Sequence, residues 1–274
     1  MKWLGVEDVD LGSPLIDKAI TNSNANTSLW PEFSSKLQML EKKLKYSFMI
    51  KGLLLEAVTH ASQQELGVGY CYQRLEFLGD SVLDLLITRY LFENHKDIDP
   101  GELTDLRSAS VNNESFAKIA VRHDLQQHLG HCSGLLSEQI AEFAESVLND
   151  NQSSSQMVKC PKALGDLVES IAGAILIDTR LNLDEVWRIF GALLCPIVTP
   201  EKLELPPYRE LNELCSHLGY FIQETCARME EDETVVVELG VQLEDVLLKG
   251  VGFDKRKKTA KGQAALQLLT DLEV

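Results

Sequence analysis

From Ser35 to Ile197 apolar residues recur at mixed spacings of three and four, the period that gathers them on one face of an α-helix. The pattern predicts helices over Lys36–Leu44, Ile50–Ala57, Leu75–Asn94, Glu102–Asn112, Ser115–Val121, Leu136–Leu148, Pro161–Thr179 and Leu183–Cys195. Pro100 ahead of Glu102, Asn113 ahead of Ser115 and Asp184 in a first turn mark helix starts. No strand pattern intrudes, so the stretch reads as an all-α domain. Past Pro196, Pro200, Pro206 and Pro207 the pattern changes. Leu211–Leu218 keeps helical spacing, Phe221–Met229 and Thr234–Leu239 alternate or run β-branched, Gln242–Lys249 reads as a third strand, and Lys257–Leu269 is helical again. The expected fold class is mainly α, an all-helical domain followed by a small α-β-β-β-α unit, with the boundary near Pro200 to Leu205. Polar stretches at Asn22–Ser28 and Asn149–Ser155 read as loops.

Two interruptions of the apolar pattern carry chemistry. Glu76 and Asp80 stand four apart inside QRLEFLGDSVLDLL, and Asp166 and Glu169 stand three apart inside KALGDLVESIAGAILID. Those spacings put each pair on one helix face. Unpaired carboxylates in an apolar setting are costly without a compensating cation or proton. No lysine faces Glu76 and Asp80 at the same spacing, and if the two helices pack side by side, four carboxylates converge without a balancing base. Oxygen-only clusters of this kind suit Mg²⁺ or Mn²⁺. Isolated acidic pairs are usually solvated surface, but Gly79, Gly165 and Gly173 permit close approach here. Spacing alone leaves a metal site and a solvated acidic face in balance. A di-iron bundle is disfavoured, because it needs Glu-x-x-His motifs and the chain has none.

Composition narrows the setting. Over 274 residues the formal charge is −16, which by itself opposes contact with nucleic acid. Lys255-Arg256-Lys257-Lys258 with Lys261 is a local exception. Six cysteines without a CxxC pair fit reduced thiols in a nuclear or cytoplasmic protein, and no apolar run is long enough to span a membrane.

The run YQRLEFLGDSVLDLLITRYLF resembles the signature helix of the ribonuclease III family. VTHAS at Val58–Ser62, LTDLRSASVNN at Leu103–Asn113 and PKALGDLVESIAGAILID at Pro161–Asp178 extend the resemblance, in the family's order. The wording is most similar to the second ribonuclease III domain of Dicers, and VWRIFGALLCPIVTPEKLELPPYRELNELC resembles plant Dicer-like proteins, suggesting the class called Dicer-like 2. The resemblance implies a connecting segment over 1–35, a ribonuclease III catalytic domain over 36–200 and a double-stranded RNA-binding domain over 205–274. It further implies that Glu76, Asp80, Asp166 and Glu169 are the catalytic and metal-binding set for Mg²⁺ or Mn²⁺. The implied reaction is hydrolysis of double-stranded RNA to 5′-phosphate and 3′-hydroxyl ends, in small-RNA production. Gln73 departs from the glutamate common in bacterial members but matches the Dicer domain.

Other positions keep two readings. Lys162, one turn before Asp166, either touches the scissile phosphate or is solvated. Asn112 and Asn113 either contact the RNA backbone or cap the following helix. Asp84 reads as supporting structure, His60 as a buried histidine bonded to a neighbouring helix, and Arg74 and Arg107 as ion-pair partners. In the tail, Lys257, Lys258 and Lys261 match the basic motif of a double-stranded RNA-binding domain, and Glu213 matches a position that reaches 2′-hydroxyls. The acidic run Glu230–Glu233 opposes phosphate where the family makes a minor-groove contact. Expected partners are double-stranded RNA, a second copy or another ribonuclease III domain paired through the signature helix with Gly79 and its apolar face, and double-stranded RNA-binding proteins, with no membrane. A non-catalytic binding or regulatory subunit and a helical adaptor stay open as alternatives.

Overall fold

Sixteen consecutive residues of one helix, Ala163 to Asp178, are buried, and the helical unit is built around them. The computed structural model describes residues 30–66, 71–149, 158–195, 197–200, 203, 205–229, 234–243 and 246–272, with side chains placed from residue 34 onward and not for 64–66. It divides into two compact units, Met1–Glu201 and Lys202–Val274. The loop at Asn22–Ser28, almost all of the 1–35 segment, most of Asn149–Ser155 and the acidic run Glu230–Glu233 lie outside the described residues.

The described part of the first unit holds α1 (Trp30–Leu44), α2 (Lys51–Ala57), α3 (Gln73–Asn94), α4 (Pro100–Ser110), α5 (Asn113–Arg122), α6 (Gly134–Leu148), α7 (Lys162–Asp178) and α8 (Leu183–Leu194). Each expected helix is present, most with a longer first turn. Side-chain caps explain the extension of α4, α5 and α6, and one also fixes the start of α8. Asp99 accepts hydrogen bonds from the N–H groups of Gly101 and Glu102, with Pro100 in the first turn. Asn112, Ser133 and Asn182 do the same for Ser115, Leu136 and Glu185. Among the described residues of this unit the one strand-like contact is an isolated parallel bridge between Thr59 and Gly130.

α7 is buried all round from Ala163 onward, as a central helix must be, and it packs on α3, α5, α2 and α8. Its closest neighbour is α3. A Cβ on Gly79 would overlap the Glu169 carbonyl, and one on Gly173 would overlap the Leu75 carbonyl, so the two backbones meet directly. Gly79 therefore belongs to this crossing and is not available to an outer interface. What α3 presents outward is Phe77, Leu85 and Phe92, exposed by 78%, 52% and 73%. At its far end α7 is anchored by Asp178. Its carboxylate accepts from the Tyr46 hydroxyl at 2.6 Å and from the N–H groups of Met49 and Ile50 at 2.9 and 2.8 Å, fixing the α1–α2 connection.

The second unit runs α9 (Pro207–Leu218), β1 (Ile222–Arg228), β2 (Val235–Gln242), β3 (Leu247–Asp254), α10 (Lys257–Leu272). The strands form an antiparallel sheet in the order β1-β2-β3. Val235, Val237, Leu239 and Val241 face the helices, where Leu211, Cys215, Ala260, Ala264 and Leu268 complete the core. The third strand is later than expected. It runs through Gly250 and Gly252, where a Cβ would overlap the Ala264 or Ala260 carbonyl of α10. They are what lets the strand pass beneath the helix. Among the described residues no helix is long and apolar enough to cross a membrane.

Candidate metal centre

The crossing of α3 and α7 decides where the acids go. Gly79 lies one turn from Glu76 and its backbone meets the carbonyl of Glu169, so the direct contact at the glycines brings the first turn of α3 against the second and third turns of α7. Carboxylate oxygens of Glu76, Asp166 and Glu169 all lie within 4.8 Å of one another. Asp80 stands one turn further along α3 and is exposed, outside that group. Its charge still acts on Glu169. Asp166 and Glu169 are only 6% and 8% exposed, whereas the Glu76 side chain is 25% exposed.

The cluster is not without a base. Lys162, on the first turn of α7, places its Nζ 2.6 Å from Asp166 Oδ1 and 3.4 Å from Glu76 Oε1. The Tyr72 hydroxyl donates to Asp166 Oδ2 at 3.1 Å. Burial pulls the Lys162 ammonium down, but its hydrogen bond to Asp166 and the charges of Asp166 and Glu76 outweigh that and leave its pKa raised. Tyr72 is raised by burial and then by Asp166. Glu169 shows what one lysine fails to neutralise. Its carboxyl is pushed up to about 7, first by burial and then by the charges of Asp80, Asp166 and Glu76, with Lys162 opposing. An oxygen-only donor set, partly dry and with excess negative charge, fits a hard divalent cation.

Beside Asp166 lies an open cavity of 370 Å³ lined by His60, Tyr72, Lys159 and Lys162 among others. His60 Nδ1 lies 2.9 Å from Ser62 Oγ and accepts the Ser62 N–H at 3.1 Å, while its ring packs edge-on to Tyr72. Its partner is thus two residues away in its own loop, not on a neighbouring helix. Asn112 is the cap of α5, and Asn113 packs against Gly165 with its amide 3.7 Å from Cys160 Sγ. Asp84 pairs with Arg107 at 3.6 Å, away from the cluster. Tyr72 carried no signal in sequence beyond lying four residues before Glu76.

Residues 73–180 match the family model of the Ribonuclease III domain. Over its whole length the chain is 52% identical to Endoribonuclease Dicer homolog 3b of Oryza sativa subsp. japonica and 50% identical to Endoribonuclease Dicer homolog 3 of Arabidopsis thaliana, spanning 17% of each of those proteins. The chain belongs to the ribonuclease III family. The match runs from the first residue of α3 to two residues past α7, and so contains all four acids, Lys162, Asn112 and Asn113. Identity to the Arabidopsis Dicer homolog 2 is 41%, below that to the two homologues numbered 3. Among solved structures the chain is similar to the nuclease domain of ribonuclease III from Campylobacter jejuni, at 32% identity over 59% of this chain and 97% of that one, with a TM-score of 0.45.

The tail lies outside the ribonuclease III match. There Lys257 and Lys261 both bond to Glu224 of β1, at 2.9 and 2.6 Å. Lys258 is exposed, and Glu213 accepts from Arg209 at 2.9 Å.

Proposed function

We propose that this chain is a divalent-metal-dependent endoribonuclease that hydrolyses double-stranded RNA to 5′-phosphate and 3′-hydroxyl products, in the production of small RNAs. The observation that carries the reading is the cluster itself. Carboxylates from two helices meet over a glycine crossing, on the segment that matches the ribonuclease III domain, with more negative charge than one lysine balances. Glu76, Asp166 and Glu169 hold the cation, Mg²⁺ or Mn²⁺, and Asp80 completes the acidic wall beside Glu169. When bound, such a cation activates water and offsets charge on the phosphate under attack.

The chain's own groups do the rest. Tyr72 holds Asp166 by its hydroxyl, so the carboxylate does not rotate away from Glu76. Lys162 bridges Asp166 and Glu76 from an exposed position and can turn its Nζ toward a phosphate oxygen at the mouth of the cavity. Lys159 lines the same opening. The exposed Phe77, Leu85 and Phe92 on α3 provide the surface for a second copy or another ribonuclease III domain, so that each site cuts one strand. The tail supplies further contact with RNA phosphates.

Purified chain incubated with long duplex RNA and Mg²⁺ tests the proposal, with the double variant Asp166→Asn, Glu169→Gln as control. Cleavage should fall about 10³-fold in the variant, the loss of several kcal/mol of charge stabilisation. Equal rates for the two proteins refute the nuclease reading, and duplex binding without cutting by the unaltered chain favours a regulatory partner.

A further inference from the structure

The basic motif of the tail is already occupied. Glu224 projects from the edge strand β1 on the face that β2 turns toward the helices, since it pairs in register with the buried Leu239. One of its carboxylate oxygens bonds Lys257 Nζ at 2.9 Å and the other bonds Lys261 Nζ at 2.6 Å. The Lys261 Nζ also sits 3.5 Å from the centroid of the Tyr208 ring. These groups are held, not merely near: the side chains of Glu224 and Lys261 are 27% and 22% exposed. The hydrogen bonds from Lys261 and Lys257 draw the Glu224 carboxyl below its usual range. By contrast Lys255, Arg256 and Lys258 are exposed and have no ion-pair partner among the described residues.

We propose that Glu224 is an intramolecular competitor for RNA phosphate, which holds Lys257 and Lys261 out of the binding surface and sets the tail's affinity low. The inference rests on the reading of the tail as an RNA-contacting unit. Its physics is that of two alternatives for the same ammonium groups. A lysine that stays on Glu224 releases no counterion on binding RNA, and one that leaves it puts an unpaired carboxylate beside phosphate. The clamp also has a folding role. Lysines in the first turns of α10 oppose the helix dipole, and a carboxylate at that end relieves the conflict. In the unaltered protein the contact therefore falls to Lys255, Arg256 and Lys258, and firm capture requires the helical unit to hold the same duplex, so that two weak contacts add.

The full chain, in EDTA so that no strand is cut, is titrated against a fluorescein-labelled RNA duplex of about 20 base pairs, longer than the roughly 16 such a unit spans. Fluorescence anisotropy is followed from about 50 to about 200 mM KCl. Glu224→Gln should bind about 10-fold more tightly and show a steeper dependence of affinity on salt, by about 0.9 for each lysine released to a phosphate. Glu224→Thr, which suits a strand and removes the acid, should do the same, and circular dichroism melts report whether either variant is folded. Lys257→Ala should change little alone and cancel much of the gain when added to Glu224→Gln. Unchanged affinity and slope in both folded Glu224 variants overturn the proposal while leaving RNA contact by the tail intact. A Lys258→Ala, Lys257→Ala, Lys261→Ala chain that binds as the unaltered one does removes the RNA reading of the tail, and the proposal with it.

Discussion

The helical unit sets four carboxylates against one lysine, and the tail sets one carboxylate against two lysines. Both are incomplete neutralisations, and the sign of the remainder states which kind of ligand each site favours: a cation in the first, an anion in the second. Burial separates them further. At the α3–α7 crossing the residual charge sits beside acids that are less than a tenth exposed, where it is poorly screened and shifts a pKa. In the tail the remainder lies nearer solvent, with the Lys257 side chain 57% exposed, where water and salt screen it readily. The first arrangement demands an ion of fixed size, and the second tolerates any phosphate backbone within reach.

The largest way to break the first half of the comparison is mechanical. Gly79→Ala places a methyl group into the Glu169 carbonyl, so α3 and α7 must separate and the acids with them. We expect a loss of about 3 kcal/mol in urea unfolding, at the upper end for overpacking because the obstacle is backbone and not a pliable side chain. A variant as stable as the unaltered chain would mean that the helices slide without cost, and that the cluster owes little to the glycines.

A smaller effect sharpens the charge argument. Burial and the neighbouring acids hold the Glu169 carboxyl at about 7 in the folded, metal-free protein, against the ordinary carboxylate value of 4.5 when unfolded. Between those values the folded state binds the extra proton, so this group's contribution to stability is fully present below pH 4.5 and is lost as pH rises through about 7. The expected loss is on the order of 2 kcal/mol once the site relaxes. Thermal melts in EDTA should show the unaltered chain losing stability between pH 5 and about 7.5 relative to Glu169→Gln, which removes the charge. Added Mg²⁺ should reverse the trend only in the unaltered protein. Parallel pH curves for the two proteins would show that the excess charge is dissipated elsewhere.

How much of this was legible in sequence follows from the range of the interactions. The eight helices of the first unit are written in local period and so are legible to within two turns, the first of them starting six residues ahead of Lys36. The acids were visible because they break that period. Tyr72 and Asp178 were not, because their partners lie 94 and up to 132 residues away and nothing local marks them. The true span of the third strand is not local either, since Gly250 and Gly252 accommodate the Ala264 and Ala260 backbone of a later helix. The basic motif was legible as charge, but its neutralisation was not, because Glu224 stands 37 residues before Lys261 and is unremarkable in its own strand.

The smallest effect probes the exposed half of the comparison. If the tail meets RNA through cations that are free at the start, then Lys258→Ala should weaken duplex binding a few-fold and lower the salt slope by about 0.9, the signature of one phosphate contact. Lys257→Ala, its neighbour in sequence and equal in charge, should do less than that, because its ammonium is 2.9 Å from Glu224 before RNA arrives. Neither change should alter thermal stability by more than about 0.5 kcal/mol, since both positions are exposed. Equal losses from the two lysines would mean that phosphate displaces Glu224 without penalty, and the tail would then be an ordinary basic surface whose local charge, and not its pairing, sets affinity.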